Sequence, residues 1–272
     1  MSSLLKLSVS VSYLFFSLAA SAGDPYRPPA GAGEAGMGYV CIMKKGFWSS
    51  FHNQASLGTF NSVTAGFGYE NSFGIRELGR SVLAMTYPAG KTTIGTIVSH
   101  FGYSDFSRVS TGLACGMQLT EKLSAGVQID YFSERSSGEY GNSNTVTFET
   151  GIIVNAGNDI SLGIHLFNPL PRSVRKTYLP AIIRAGAAKY LGEDLLAGVE
   201  LEMRTGGSVV LKTGFEYETA ERFWLRGGFS TANNSFSFGI GYLVKFVQLD
   251  LAFATHDRLG ITSTASMIFK IK

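Results

Sequence analysis

The sequence predicts an all-β protein: a transmembrane antiparallel up-and-down β-barrel of about 14 strands, preceded by an N-terminal plug segment. Three observations predict it. From residue 62 onward, apolar residues alternate with polar or small ones at a period of two. After residue 23 every apolar stretch is broken well before the roughly 20 residues a membrane helix requires. The chain also opens with the pattern of an export signal.

That signal covers residues 1–22. Lys6 supplies the early positive charge, an apolar run follows from Leu7 to Ala19, and Ala20-Ser21-Ala22 is a small-residue cleavage site. The run is too short to cross a hydrocarbon core about 30 Å thick. An exported chain without a spanning helix is either soluble or a closed barrel, because only helices and closed barrels satisfy the backbone in lipid.

Residues 23–61 do not alternate and are read as a plug or hatch. Gly31, Gly36 and Gly38 lie in a Gly-rich run that also contains Met37, and Trp48, Asn53 and Leu57 follow. The run matches G-x-G-x-x-G literally. A dinucleotide site, however, needs a preceding strand and a βαβ unit, and here Pro25, Pro28 and Pro29 precede it. A barrel of about 14 strands is wider than its own inward side chains can fill, which leaves room for such a segment.

Residues 62–272 form the barrel. The strands are placed near 62–72, 80–88, 91–102, 106–120, 122–134, 144–155, 158–168, 180–191, 194–204, 208–218, 221–231, 235–244, 245–256 and 260–271. Leu123, Ala125, Val127, Ile129 and Tyr131 against Ser124, Gly126, Gln128 and Asp130 show the two faces most clearly. The connections after odd strands, such as 73–79, 135–143 and 169–179, are long, and those after even strands are tight. Short turns at one end and longer loops at the other fit an outer-membrane barrel with both termini in the periplasm. A secreted β-sandwich uses the same alternation with the apolar face inward. The export signal, uniform strand length and alternating loop length favour the membrane barrel.

The apolar face then coats the outside, and the polar positions line the lumen. Glu70, Gln128, Asp130, Glu149, Arg184, Glu200, Lys212, Glu216, Arg226 and Asp250 are the predicted inward polar residues, facing the plug or lumen water. Glycine on inward positions marks close approach of a second backbone. Cys115 falls on the lipid face and Cys41 in the plug, so two free thiols are expected. Loop 169–179, with Arg172, Arg175 and Lys176, reads as a solvated basic loop, and Asn233-Asn234-Ser235 as a tight turn.

Composition narrows the function. Among 272 residues, 45% are hydrophobic and 16% charged, too apolar for a disordered chain. A net charge of +3 without a basic stripe gives no case for nucleic acid. The four histidines, His52, His100, His165 and His256, lack metal-ligand spacing, and no nucleophile elbow occurs. No enzyme, metal or cofactor is expected.

The run Gly31, Ala32, Gly36, Met37, Gly38, followed by Trp48, Asn53, Ala55 and Leu57, resembles the N-terminal motif of FadL-type outer-membrane barrels, especially the PorV/PorQ-like branch. Gln54 stands where that motif has Pro, and Ser56 where it has Gly. The resemblance implies an accessory or structural subunit of an envelope machine, in type IX secretion or outer-membrane protein assembly, with other envelope proteins as partners. The alternative is a FadL-like plugged channel for passive uptake of small hydrophobic compounds. Outer-membrane lipid of a Gram-negative bacterium surrounds the barrel in either case.

Overall fold

The structure is a computed structural model. It describes residues 30–137, 141–170, 172–174, 177–219 and 222–271; the expected export signal, the first part of the plug and the basic residues Arg175 and Lys176 lie outside them. The strands are β1 Val63–Asn71, β2 Gly79–Ala89, β3 Thr92–Gly102, β4 Phe106–Thr120, β5 Leu123–Ser136, β6 Ser143–Gly157, β7 Ile160–Phe167, β8 Arg172–Val174, β9 Thr177–Leu179, β10 Ile182–Leu191, β11 Leu195–Arg204, β12 Val210–Glu218, β13 Phe223–Ser230, β14 Ser235–Val244, β15 Val247–His256 and β16 Gly260–Ile271.

Fourteen of these strands, all but β8 and β9, form one closed antiparallel barrel in which each pairs with its neighbours in sequence. The β1–β16 pair closes it, with Val63 opposite Ile271 and Asn71 opposite Ser263. The period-two pattern therefore located the wall strands, with ends moved by a few residues. One expectation needs correcting. Loop 169–179 is not a plain loop, because β8 and β9 pair within it as a small separate hairpin, with Arg172 opposite Leu179.

The connections differ between the two ends. At one end are Gly90-Lys91, Glu121-Lys122, Asn158-Asp159, Lys245-Phe246 and, longest, 219–222. The other end carries 72–78, 137–142 and 168–181. The turn at Asn233-Asn234 was expected, and both residues have positive φ there.

The faces are inverted relative to a soluble protein. Leu83, Leu113 and Ile129 are about 60% exposed, whereas Arg184 and Glu200 are essentially buried. In water each such Leu or Ile would forgo about 1.5–3 kcal/mol of burial. The soluble sandwich, which needs the apolar face inside, is thereby excluded, and the outer surface is suited to lipid. Cys115 lies on this outer face and Cys41 is buried, both as free thiols.

Candidate functional site

Residues 30–62 lie against the inner face of the wall. A single turn of helix, α1 (Ala32–Gly36), contacts β13 to β16, and a 3₁₀ turn over Gln54–Thr59 contacts β3 to β6. A second 3₁₀ turn, Ser49–Phe51, packs on the first. The motif residues account for this course. Gly31 (φ 87°) and Gly38 (φ 65°) bracket α1 in left-handed conformations that residues with a Cβ seldom adopt. Gly36 faces Gly239 of β14 so closely that an added Cβ would stand 2.8 Å from its Cα.

The segment then travels round the wall against chain order. Met37 rests on β12 and β13, Val40 on β11, Ile42 and Met43 on β7 and β10, Asn53 on β6, and Gln54 and Leu57 on β5 and β4. It meets the wall largely at inward glycines that are cross-strand neighbours. Gly116, Gly126 and Gly151 form one row, Gly163 and Gly186 a second, and Gly198, Gly214 and Gly228 a third. A Cβ at Gly163 would lie 2.5 Å from the Ile42 carbonyl oxygen. Glycine in these rows lets two backbones touch.

Apolar anchors complete the docking. Trp48 stacks edge-on with Phe47 at 4.8 Å, and both join Val82, Ala84, Ile97 and Ile268 of the wall in one cluster. Met37, Val40, Ile42 and Met43 form another with Ala188 and Leu196.

Asn53 is wholly buried and ties the segment to itself and to the wall. Its side-chain NH₂ donates to Ile42 O at 2.7 Å, Ile164 O at 3.2 Å and Ile152 O at 3.3 Å, and its Oδ1 accepts from Ala55 N at 3.1 Å. Gln54, the departure from the motif, donates from Nε2 to Glu149 Oε2 at 3.3 Å. Glu149 also accepts from Gln128 Nε2 at 3.0 Å and bonds His165 Nε2 at 2.8 Å. Gln128 Nε2 donates to Asp130 Oδ1 at 2.7 Å.

The remaining predicted residues other than Glu70 fall into two ionic groups. Arg226 pairs with Glu216 at 2.5 Å and Asp250 at 2.6 Å, and Lys44 of the segment joins Glu216 at 2.6 Å. Arg184 pairs with Glu200, and Lys212 reaches Glu202 at 2.7 Å and Glu200 at 3.5 Å. Here too the segment takes part: Cys41 N donates to Glu200 at 3.3 Å, and Arg184 Nη2 donates to Tyr39 O at 3.0 Å. Glu70, half-buried, accepts from Tyr39 Oη at 3.1 Å. The ten residues do not face open lumen water as one set; most are buried and bound to one another or to the segment. Sequence reasoning missed Tyr39, Lys44 and Glu202. Glu202 shares the inward parity of Glu200, and that parity could have revealed it.

Burial sets the ionisation of the segment. It pushes the Cys41 thiol up to about 12. It also raises the Glu34 carboxyl, against the pull of Lys44, a hydrogen bond from Ser49 and Arg226. Burial alone would lower the Lys44 ammonium, but Glu216 and Glu34 hold it above its ordinary value.

Two cavities flank the segment. One of about 460 Å³ opens towards the long-loop end, lined by Tyr39, Glu70, Phe73, Arg184, Arg204 and Lys212 among others. The second, about 250 Å³, lies towards the short-turn end beside Glu34, Lys44, Trp48, Glu216 and Arg226. α1 contributes to both, through Ala35 to the first and Gly33 and Glu34 to the second.

No protein-family model and no curated protein sequence matches the chain. Solved structures do. The toluene transporter TbuX of Ralstonia pickettii superposes with a TM-score of 0.69 at 12% identity, covering 89% of this chain and 98% of that one. A FadL homologue of Pseudomonas aeruginosa gives 0.67 at 10%, covering 90% and 99%. The toluene transporter TodX of Pseudomonas putida gives 0.68 at 11%, covering 88% and 96%. At such identities the likeness is one of architecture: the chain has the fold of the FadL-type outer-membrane barrels.

Proposed function

We propose that the protein is a passive outer-membrane channel for small hydrophobic compounds, with residues 23–61 as its plug. The observation that carries this reading is the buried segment at 30–62 with a cavity on either side of it. A wall built to hold a segment inside, with space above and below, suits a route that the segment interrupts. The toluene transporters TbuX and TodX share the architecture, which supports the same class of cargo here. The accessory-subunit reading rests on the PorV/PorQ-like resemblance of the motif at 31–57, and the comparisons lend it less support.

Deletion of the gene and complementation test the proposal. Uptake of a panel of hydrophobic tracers by whole cells is expected to fall on deletion and recover on complementation. Unchanged uptake across the panel would overturn the channel. Recovery of a stoichiometric envelope partner by mild-detergent purification and mass spectrometry would then favour the accessory role.

A further inference from the structure

The two sides of the wall finish differently at the long-loop end. β4, β5 and β6 have 15, 14 and 15 residues, whereas β10 to β14 have 8 to 10. On the shorter side the outward face stays apolar up to the strand ends, with Met203, Leu211, Phe229 and Phe236. On the longer side it does not. Outward positions of β2 to β6 form cross-strand rows. Leu83, Val98, Thr111, Tyr131 and Val146 make one row, apolar but for Thr111. The next row towards the loops is Ser81, His100, Val109, Ser133 and Asn144, polar but for Val109. One step further out, Arg135 stands opposite Ser107. The outer surface thus passes from hydrocarbon chemistry to headgroup chemistry between two adjacent rows.

The charges that point outward at this rim are cationic. Arg135 is exposed and has no ion-pair partner among the described residues. Glu134, next to it, faces inward and holds Arg108 at 2.6 Å. His100 is exposed, and so is Arg76, in a 3₁₀ turn that contacts β3. Neither polar row contains a carboxylate; Glu77 and Asp105 lie in the loops above. Guanidinium forks match phosphate oxygens, and hydroxyls and amides suit sugar hydroxyls. With two strand spacings across and one residue pair along, His100 and Arg135 stand about 12 Å apart, a span that a disaccharide phosphorylated at both ends covers.

We propose that the outward rim of β2 to β6 at the long-loop end binds the phosphorylated, acylated disaccharide of the outer-leaflet glycolipid. One phosphate meets Arg135, and the other meets His100 and Arg76. Ser107, Ser133 and Asn144 bond the sugar hydroxyls, and the acyl chains lie on the apolar row below. This surface is on the lipid side of the wall, so the inference is independent of what passes through the lumen.

The test is native mass spectrometry of the purified full-length protein in detergent, with bisphosphorylated lipid A and cardiolipin as probes. Cardiolipin also carries a pair of phosphates and several acyl chains, but no sugar. Lipid A is expected to bind at least about tenfold more tightly than cardiolipin. His100→Gln with Arg135→Gln is expected to weaken lipid A about tenfold, the scale of one charge-assisted hydrogen bond. Lys245→Gln, at an exposed short turn, should leave it unchanged. Heat-modifiable migration on a gel reports that each barrel is intact. Equal affinity for the two lipids overturns the proposal and marks a general anionic-lipid surface. Full lipid A affinity in the double variant, or an equal loss in Lys245→Gln, overturns it as well.

Discussion

A Cβ at position 151 would collide with the side-chain amide of Asn53. The β6 wall and the N-terminal segment are thus fitted to each other at a glycine, with the amide fixed by bonds to Ile42, Ile152 and Ile164. Gly151→Val is expected to displace the segment while the barrel stays closed. Limited proteolysis should then cut within 40–58, where the wild type resists. Asn53→Ala should destabilise the docked state by about 1–3 kcal/mol by leaving buried carbonyls unmet. Denaturant titration followed by tryptophan fluorescence reads this through Trp48.

Arg226 is buried between Glu216 and Asp250. Arg226→Met leaves two carboxylates close together with only Lys44 nearby, and a loss of about 3–5 kcal/mol is expected. Adding Glu216→Gln and Asp250→Asn should recover much of it, because the uncompensated charges are then gone. Thermal unfolding of the single and triple variants checks both outcomes. Equal losses in the two would show that the charges themselves do not matter.

Gln54→Pro restores the residue of the related motif. Gln54 is the first residue of its 3₁₀ turn, where proline is tolerated, and Asn53 before it is already extended at φ −152°, ψ 108°. The lost bond to the Glu149 carboxylate removes about 1.5–3 kcal/mol, and the restricted unfolded chain returns about 0.4–1 kcal/mol. A net loss of about 0.5–2.5 kcal/mol is expected, measured by denaturant midpoint.

Cys41 and Cys115 should label differently. With its thiol pushed up to about 12 and no exposed surface, Cys41 should resist alkylation at pH 8, and Cys115 should react with a membrane-permeant maleimide. Unfolding should release Cys41. The same shift fixes a direction in pH. The unfolded thiol ionises near 9, so the contribution of neutral Cys41 to stability is complete below pH 9 and declines as pH rises towards 12. A Cys41→Ser variant should flatten that part of the alkaline stability profile.

Much of this was legible in residue order. The alternation at 123–131 gave β5 and its two faces, because lipid outside and a packed lumen inside impose opposite chemistry on successive side chains. The inward parity of Arg184, Glu200, Arg226 and Asp250 followed from the same rule. The Gly31–Gly38 and Asn53–Leu57 motifs marked the segment. Their partners were not legible, since Gly36 meets Gly239 and Lys44 meets Glu216 across long stretches of chain, and no local pattern encodes such pairs. The hairpin at Arg172–Leu179 was missed because three-residue strands are too short to show a period. The cavity was missed because its lining comes from many strand ends, a few loop residues and the inner segment at once.

The course of the segment also bears on assembly. It lines the wall from β14 back to β3 before entering β1, and the cylinder shuts where β1 meets β16, the pairing of greatest sequence separation. Contacts of that kind form late, because loop-closure entropy must be met first. Because the lining is continuous with β1, one covalent run of chain places both the inner support of the wall and one of the two strands that shut it.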